Sequence, residues 1–211
     1  MAKKKKRKKK KKPSDPPDIH TLRGVCSSDV NEIILLVRAP VEQAATAFGS
    51  HRKLKTHLAD IVGKTIEIDA PSYLVYQLVG HAWTIIDSFA GNAYVDVADA
   101  KEISKKLRAR VIYYGNSDTA GVVSYELFER GKSLERLDYC EELEFESSVR
   151  DARDVPDESN LDEFTDRFIR SEDAFTPGWS TALSWNRNAG EKVKIDFWDE
   201  TMVSRADYVG K

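Results

Sequence analysis

Residues 32–48 read "EIILLVRAPVEQAATAF", and the change of period inside this stretch decides the fold. From Ile33 to Val37 every residue is apolar and three of the five are β-branched. That is the length and composition of a strand covered on both faces. Pro40 closes the run, because it has no N–H for a ladder and its fixed φ suits the first turn of a helix. Beyond it Val41, Ala44, Ala45 and Phe48 recur at helical intervals, and Leu54, Leu58 and Ile61 continue the stripe past Gly49. Helix is therefore predicted from Val41 to the neighbourhood of Ile61, with Gly49 as a point of division into two helices.

Three strands are predicted next. "KTIEID" alternates Ile66 and Ile68 with polar neighbours, whereas "SYLVYQLV" and "AWTIIDSF" are almost continuously apolar and read as central strands, joined by a tight connection at Gly80-His81. A second helix starts at "DAKEISKKLRA", where Asp99 as cap and Glu102 three residues on resemble a capping box and Ile103 and Leu107 supply the buried stripe. "RVIYYG", "GVVSYELFERG" and "SLERLDYCE" then read as strands joined by turns at "NSDTAG" and "RGKS". The order strand, helix, three strands, helix, three strands predicts an α+β domain. Its single sheet is mixed or largely antiparallel, with the helices on one face, and lacks the regular alternation of a doubly wound fold. No residue-level repeat relates the two halves.

After Glu141 the chain turns acidic, and "NLDEFTDRFIRSEDAF" then places Leu161, Phe164, Phe168 and Ile169 on one helical face, with Asn160 and Glu163 as start signals. This helix is expected to dock on the main domain. "KVKIDFW" is a further strand candidate. The expected organisation is a disordered polybasic tail over residues 1–20 and an α+β domain over 21–145. An acidic linker, helix and aromatic segment over 146–211 is expected to pack on that domain.

Ten consecutive basic residues, Lys3, Lys4, Lys5, Lys6, Arg7, Lys8, Lys9, Lys10, Lys11 and Lys12, open a chain whose formal net charge is only −2. Without them 23 Lys and Arg face 35 Asp and Glu, so residues 13–211 carry about −12. The tail is a candidate polyanion-binding segment, able to engage phosphates with steep salt dependence and little sequence information. No aromatic residue is interleaved in it to stack bases, and the acidic body repels nucleic acid. The tail is better explained as a solubilising appendage, an intramolecular partner of that body or a poorly chosen start codon.

No apolar run reaches the 18 or so residues of a membrane span, and the basic run meets "PSDPP" where a secretory signal needs an apolar segment. A cytoplasmic protein is expected, with Cys26 and Cys140 as reduced thiols rather than a disulfide.

The residues imply no cofactor, no metal site and no catalytic set, since histidine and cysteine pairs with ligand spacing are absent, as are the common nucleophile and phosphate-loop motifs. His51 and His57, six apart on the predicted helix, do not share a face. His81, between two apolar strands, is the one candidate base, with Asp87 or Tyr113 as its partner if the fold unites them. "GNSDTAG" (Gly115 to Gly121) reads as a hairpin loop rather than an anion or calcium loop. The acidic residues Glu141, Glu142, Glu144 and Glu146, with the aromatic pair Trp179 and Trp185, are the candidate surface for an unknown protein partner.

The segments "ILLVRAPVEQAATAF", "IEID…YLVYQLVGHAWTIID" and "DAKEISKKLRARVIYYGNSDTAGVVSYELFERG", with "DEFTDRFIRSEDAF", resemble a group of uncharacterised bacterial proteins of cyanobacterial and planctomycete type. The resemblance implies one folded unit and no activity. The layout of "AKEISKKLRARVIYYGNSDTAGVVSYELFERG" is also similar to small α+β immunity proteins of bacterial toxin systems. That similarity implies a non-enzymatic binding module, which the acidic face fits; the alternatives are a nucleic-acid-associated accessory protein acting through the tail and an enzyme centred on His81.

Overall fold

The computed structural model describes residues 23–25, 31–151, 155–176, 187–197 and 202–211. In chain order its strands and helices are β1 (Gly24–Val25), β2 (Glu32–Val37), α1 (Val41–Arg52), β3 (Thr56–Leu58), β4 (Thr65–Glu67), β5 (Ser72–Leu78), β6 (Thr84–Ala90), α2 (Val97–Leu107), β7 (Arg110–Ser117), β8 (Val122–Glu129), β9 (Lys132–Tyr139), β10 (Leu143–Ser147), α3 (Leu161–Ser171), β11 (Phe175–Thr176), β12 (Lys192–Lys194) and β13 (Val203–Gly210). Nine strands form one sheet in the order β10-β9-β8-β7-β2-β6-β5-β13-β3, with antiparallel neighbours throughout, and the fold is α+β. β1 pairs with β11 and β4 with β12 in separate two-stranded ribbons.

The apolar run of β2 is explained by its place at the centre of this sheet. Leu35, Leu36 and Val37 have no exposed surface because both faces are covered. On one face α1 and α2 pack Ala44, Ala45, Phe48, Ala100 and Ile103 against Leu35, Val75, Ile86 and Val111. On the other, α3 and the C-terminal segment bring Phe168, Ile169, Ile195 and Phe197 onto Ile34, Tyr76, Ile112 and Tyr125. Each fully buried large side chain stabilises the fold by about 1.5–3 kcal/mol relative to exposure.

Two helical expectations are corrected. α1 ends at Arg52, where Lys53 takes a left-handed conformation and the Leu54 N–H returns to the Gly49 carbonyl, so Thr56–Leu58 is free to pair with β13 as an edge strand. Gly49 does not divide the helix. It sits where an added Cβ would lie 3.1 Å from the Val209 side chain, letting α1 lie close to β13. α2 begins one turn before the expected cap. Asp96 is the N-cap and Asp99 the third helical residue, and each side chain accepts the other's backbone N–H at 2.9 Å.

The hairpin reading of residues 115–121 holds, with Gly115, Asn116 and Ser117 ending β7 and residues 118–121 turning into β8. "KTIEID" stays out of the main sheet and pairs with "KVK" of β12 instead. β13 enters the main sheet between β5 and β3. No helix among the described residues is long and apolar enough to cross a membrane.

Candidate functional site

α2 covers only part of its face of the sheet. It lies over the Val111 and Phe128 end of β7 and β8, and beyond its first residue, Val97, a hollow remains among the described residues, where Tyr113, Ser124, Arg136 and Asp138 are half-buried and Glu126 is buried. Residues directly opposite in an antiparallel pair point to the same side, so the register defines two rows there. One runs Tyr113, Glu126, Arg136, Glu146 and the other Gly115, Ser124, Asp138, Glu144, from β7 out to the edge strand β10. Period-2 alternation in "SYELFE" and "LERLDY" sends Ser124, Glu126, Arg136 and Asp138 to this side, and Tyr125, Leu127 and Leu137, with Glu135 among them, to the side beneath α3.

Four carboxylates surround one guanidinium on these rows. Arg136 reaches Asp138 at 3.0 Å and Glu144 at 3.3 Å, and the Ser124 hydroxyl donates to Asp138 at 2.7 Å. Glu126 and Glu146 complete the rows, so the face is net negative. Its floor is a hollow of about 480 Å³ lined by Val97, Tyr113, Ser124, Glu126, Arg136 and Asp138. Tyr113 leans across Gly115, where an added Cβ would stand 3.2 Å from the phenol oxygen, so glycine makes room for the ring on the open face. Burial, then the charges of Asp138 and Asp96, raises the Tyr113 hydroxyl pKa and keeps it a neutral donor.

Among the described residues β10 is the outer strand, paired on one side only. Its Phe145 stacks on Phe168 of α3 with ring centres 5.6 Å apart, while Glu144 and Glu146 are exposed on the other side. Glu141 and Glu142 are exposed in the turn leading into the strand, beside the exposed thiol of Cys140. The structure thus gathers all four candidate glutamates along one edge. It adds Glu126, Asp138, Arg136 and Tyr113, whose period-2 spacing was visible but whose shared side was not. Trp179, Trp185, Cys26 and the basic residues Lys3 to Lys12 lie outside the described residues.

His81 sits in the β5–β6 turn with its ring 4.2 Å from that of Phe175. The partners proposed for it do not converge. Asp87 pairs with Ile34 and Tyr113 with Leu35, so the acid and the phenol stand on opposite sides of the sheet. His51 and His57 belong to different elements and each meets a buried carboxylate: His51 lies 3.2 Å from Asp99, which also binds Arg52, and His57 lies 2.9 Å from Asp207. Arg205 grips Asp207 through two nitrogens at 2.8 and 2.9 Å. Burial acts to raise the Asp207 pKa, but hydrogen bonds from Arg205, the Asp60 N–H and His57 outweigh it and hold the group below its ordinary value. Among the described residues no three His, Cys, Asp or Glu side chains are grouped to hold a metal ion.

Comparison with known proteins finds no matching family model, no matching curated protein and no matching solved structure.

Proposed function

We propose that the chain is a non-enzymatic, cytoplasmic protein-binding module that takes a basic, extended partner segment on the acidic face of β7–β10 and along the open edge of β10. The observation that carries this reading is the pair of rows in which Glu126, Asp138, Glu144 and Glu146 share the sheet face with a single Arg136, beside a strand edge that has no partner among the described residues. Glu144 and Glu146 alternate along that edge, so a second copy of β10 laid antiparallel would oppose like charges. A strand with Lys or Arg at alternate positions meets complementary charge there and completes the ladder. An inhibitor or immunity-type protein, the class suggested by the layout of residues 100–131, would act in this way by covering a basic surface.

The test is a pull-down with full-length protein, a version lacking residues 1–13, and Glu144→Lys/Glu146→Lys, each with nuclease at low and moderate salt. The reading expects a protein partner that survives loss of the tail and disappears with the charge reversal. Recovery of only nuclease-sensitive material that vanishes with the tail refutes it and assigns function to the polybasic segment.

A further inference from the structure

On the opposite face of the sheet, at the start of β2, two carboxyl groups share a site where no basic side chain among the described residues is paired with them. Glu32 is paired with Asn116 of β7, and two residues along β2 Ile34 is flanked by Tyr114 of β7 and Asp87 of β6. Strand alternation puts Glu32, Asp87, Tyr114 and Asn116 on this one side. Glu32 stands diagonally from Asp87, a separation that a long side chain bridges.

Glu32 is 7% exposed and Asn116 8%, so both are enclosed polar groups. Among the described residues no hydrogen bond or ion pair reaches the Glu32 carboxyl, and Asp87 accepts only from the Ser88 N–H. The Asn116 amide donates its nitrogen to the Tyr114 phenol at 3.4 Å, which leaves its side-chain oxygen uncommitted. The charged groups of α3 that act on Tyr114 are Asp162 and Asp166, again acids. Enclosing an ionised carboxylate without a counter-charge is costly, and here the protein supplies oxygen donors but no cation.

A cavity of about 460 Å³ between the end of β7 and the start of α3 has Asn116 in its wall. Every ionisable side chain lining its mouth is acidic except the phenol of Tyr139: Asp118, Glu158, Asp162 and Glu163. Such a wall concentrates cations at the entrance. Carboxylate and amide oxygens are hard ligands, suited to magnesium, calcium or manganese rather than to thiophilic metals. A shell built on one or two carboxylates and otherwise filled by water is usual for the smaller of these ions, so a third acidic ligand is not required.

We propose that Glu32, Asp87 and the Asn116 side-chain oxygen form a binding site for a hard divalent cation, with Asn116 shared between that site and the acid-lined cavity at the start of α3, which Glu32 and Asp87 do not line.

The test is titration of chelator-treated full-length protein with Mn²⁺ at pH 8, followed by electron paramagnetic resonance of the free ion, with Ca²⁺ and Mg²⁺ as competitors. One saturable site per chain is expected. It should weaken at least about tenfold in Glu32→Gln and in Asp87→Asn, and remain within twofold of wild type in Glu144→Gln/Glu146→Gln on the other face. The amides keep the shape of the acids and remove enclosed charge, so cooperative thermal unfolding should persist. Asn116→Ala, which removes only the neutral ligand, should weaken the site severalfold and serves if an amide variant fails to fold. The proposal is overturned if no saturable Mn²⁺ binding occurs, or if Glu32→Gln and Asp87→Asn, or Asn116→Ala where those do not fold, bind as wild type does.

Discussion

The guanidinium of Arg150 lies 4.1 Å from the centre of the Phe168 ring while its Nε forms an ion pair with Glu135, a carboxylate only 1% exposed. Arg150 follows the edge strand β10, Glu135 is on β9 and Phe168 on α3, so one side chain fastens the third helix to the outer half of the sheet. Its terminal nitrogen also donates to the Ser171 hydroxyl at 2.7 Å. This attachment places α3 under β8–β10 and leaves their other side open as the acidic face.

Replacing Arg150 by Met should cost about 3–5 kcal/mol, because Glu135 is left enclosed without its counter-charge. Adding Glu135→Gln should restore part of the loss, since the stranded charge is then gone. Urea unfolding of the two single variants and the pair measures the coupling, and additive effects would separate the residues energetically.

The Asp99 carboxylate does three things: it completes the capping box of α2, receives Arg52 of α1 and meets His51. Asp99→Ala should therefore cost about 3 kcal/mol or more, against about 1 kcal/mol for Asp96→Ala, which mainly loses a cap. Thermal unfolding of both variants decides between a helix-local and an interhelical role.

Burial, with the Asp87 charge second, pushes the Glu32 pKa up to about 8, and burial, partly countered by the Ser88 N–H, pushes Asp87 up to about 7. Both carboxyls hold protons more tightly folded than unfolded, so their unfavourable contribution is absent below about pH 4, grows through the interval up to about pH 8 and then levels off. Without divalent cations, Glu32→Gln should be more stable than wild type by about 1–3 kcal/mol at pH 8 and equal to it at pH 4. Chemical unfolding at the two pH values is the measurement.

Asp207 has the opposite sign. Its pKa is lowered in the fold, so its favourable contribution is full above about pH 4 and is lost as pH falls through the lower folded value. Asp207→Asn should lose about 2–4 kcal/mol at pH 7 and converge on wild type in acid. A variant that stays equally destabilised at every pH would mean that shape, not charge, holds Arg205 and His57.

Glu144→Lys/Glu146→Lys should cost no more than about 1 kcal/mol, because both side chains are exposed on an edge strand and the one ion pair lost, Glu144 with Arg136, is a surface pair. Circular dichroism and thermal unfolding of this variant separate loss of binding from loss of fold.

Local periodicity determined much of this molecule by itself. The apolar run of β2, the stop at Pro40, the stripe of α1 and the polar alternation in β8 and β9 are short-range signals, each the direct consequence of 3.6- or 2-residue repeats. The α+β class and the β7–β8–β9 meander follow from them, because antiparallel neighbours joined by short turns need nothing distant.

Only the tertiary structure decided which strands meet across long separations and which side of the sheet each alternating set would face. β2 lies between β6 and β7, and β13 returns from the end of the chain to sit between β5 and β3. A period of two records that neighbours point apart, not which of them points to the helices, and a shift of one residue exchanges the sides. For that reason Asp87 and Tyr113, read from the sequence as alternative partners of His81, gave no sign that they stand on opposite faces. For the same reason the two rows of the acidic face, assembled from four strands, emerge only when the register is known.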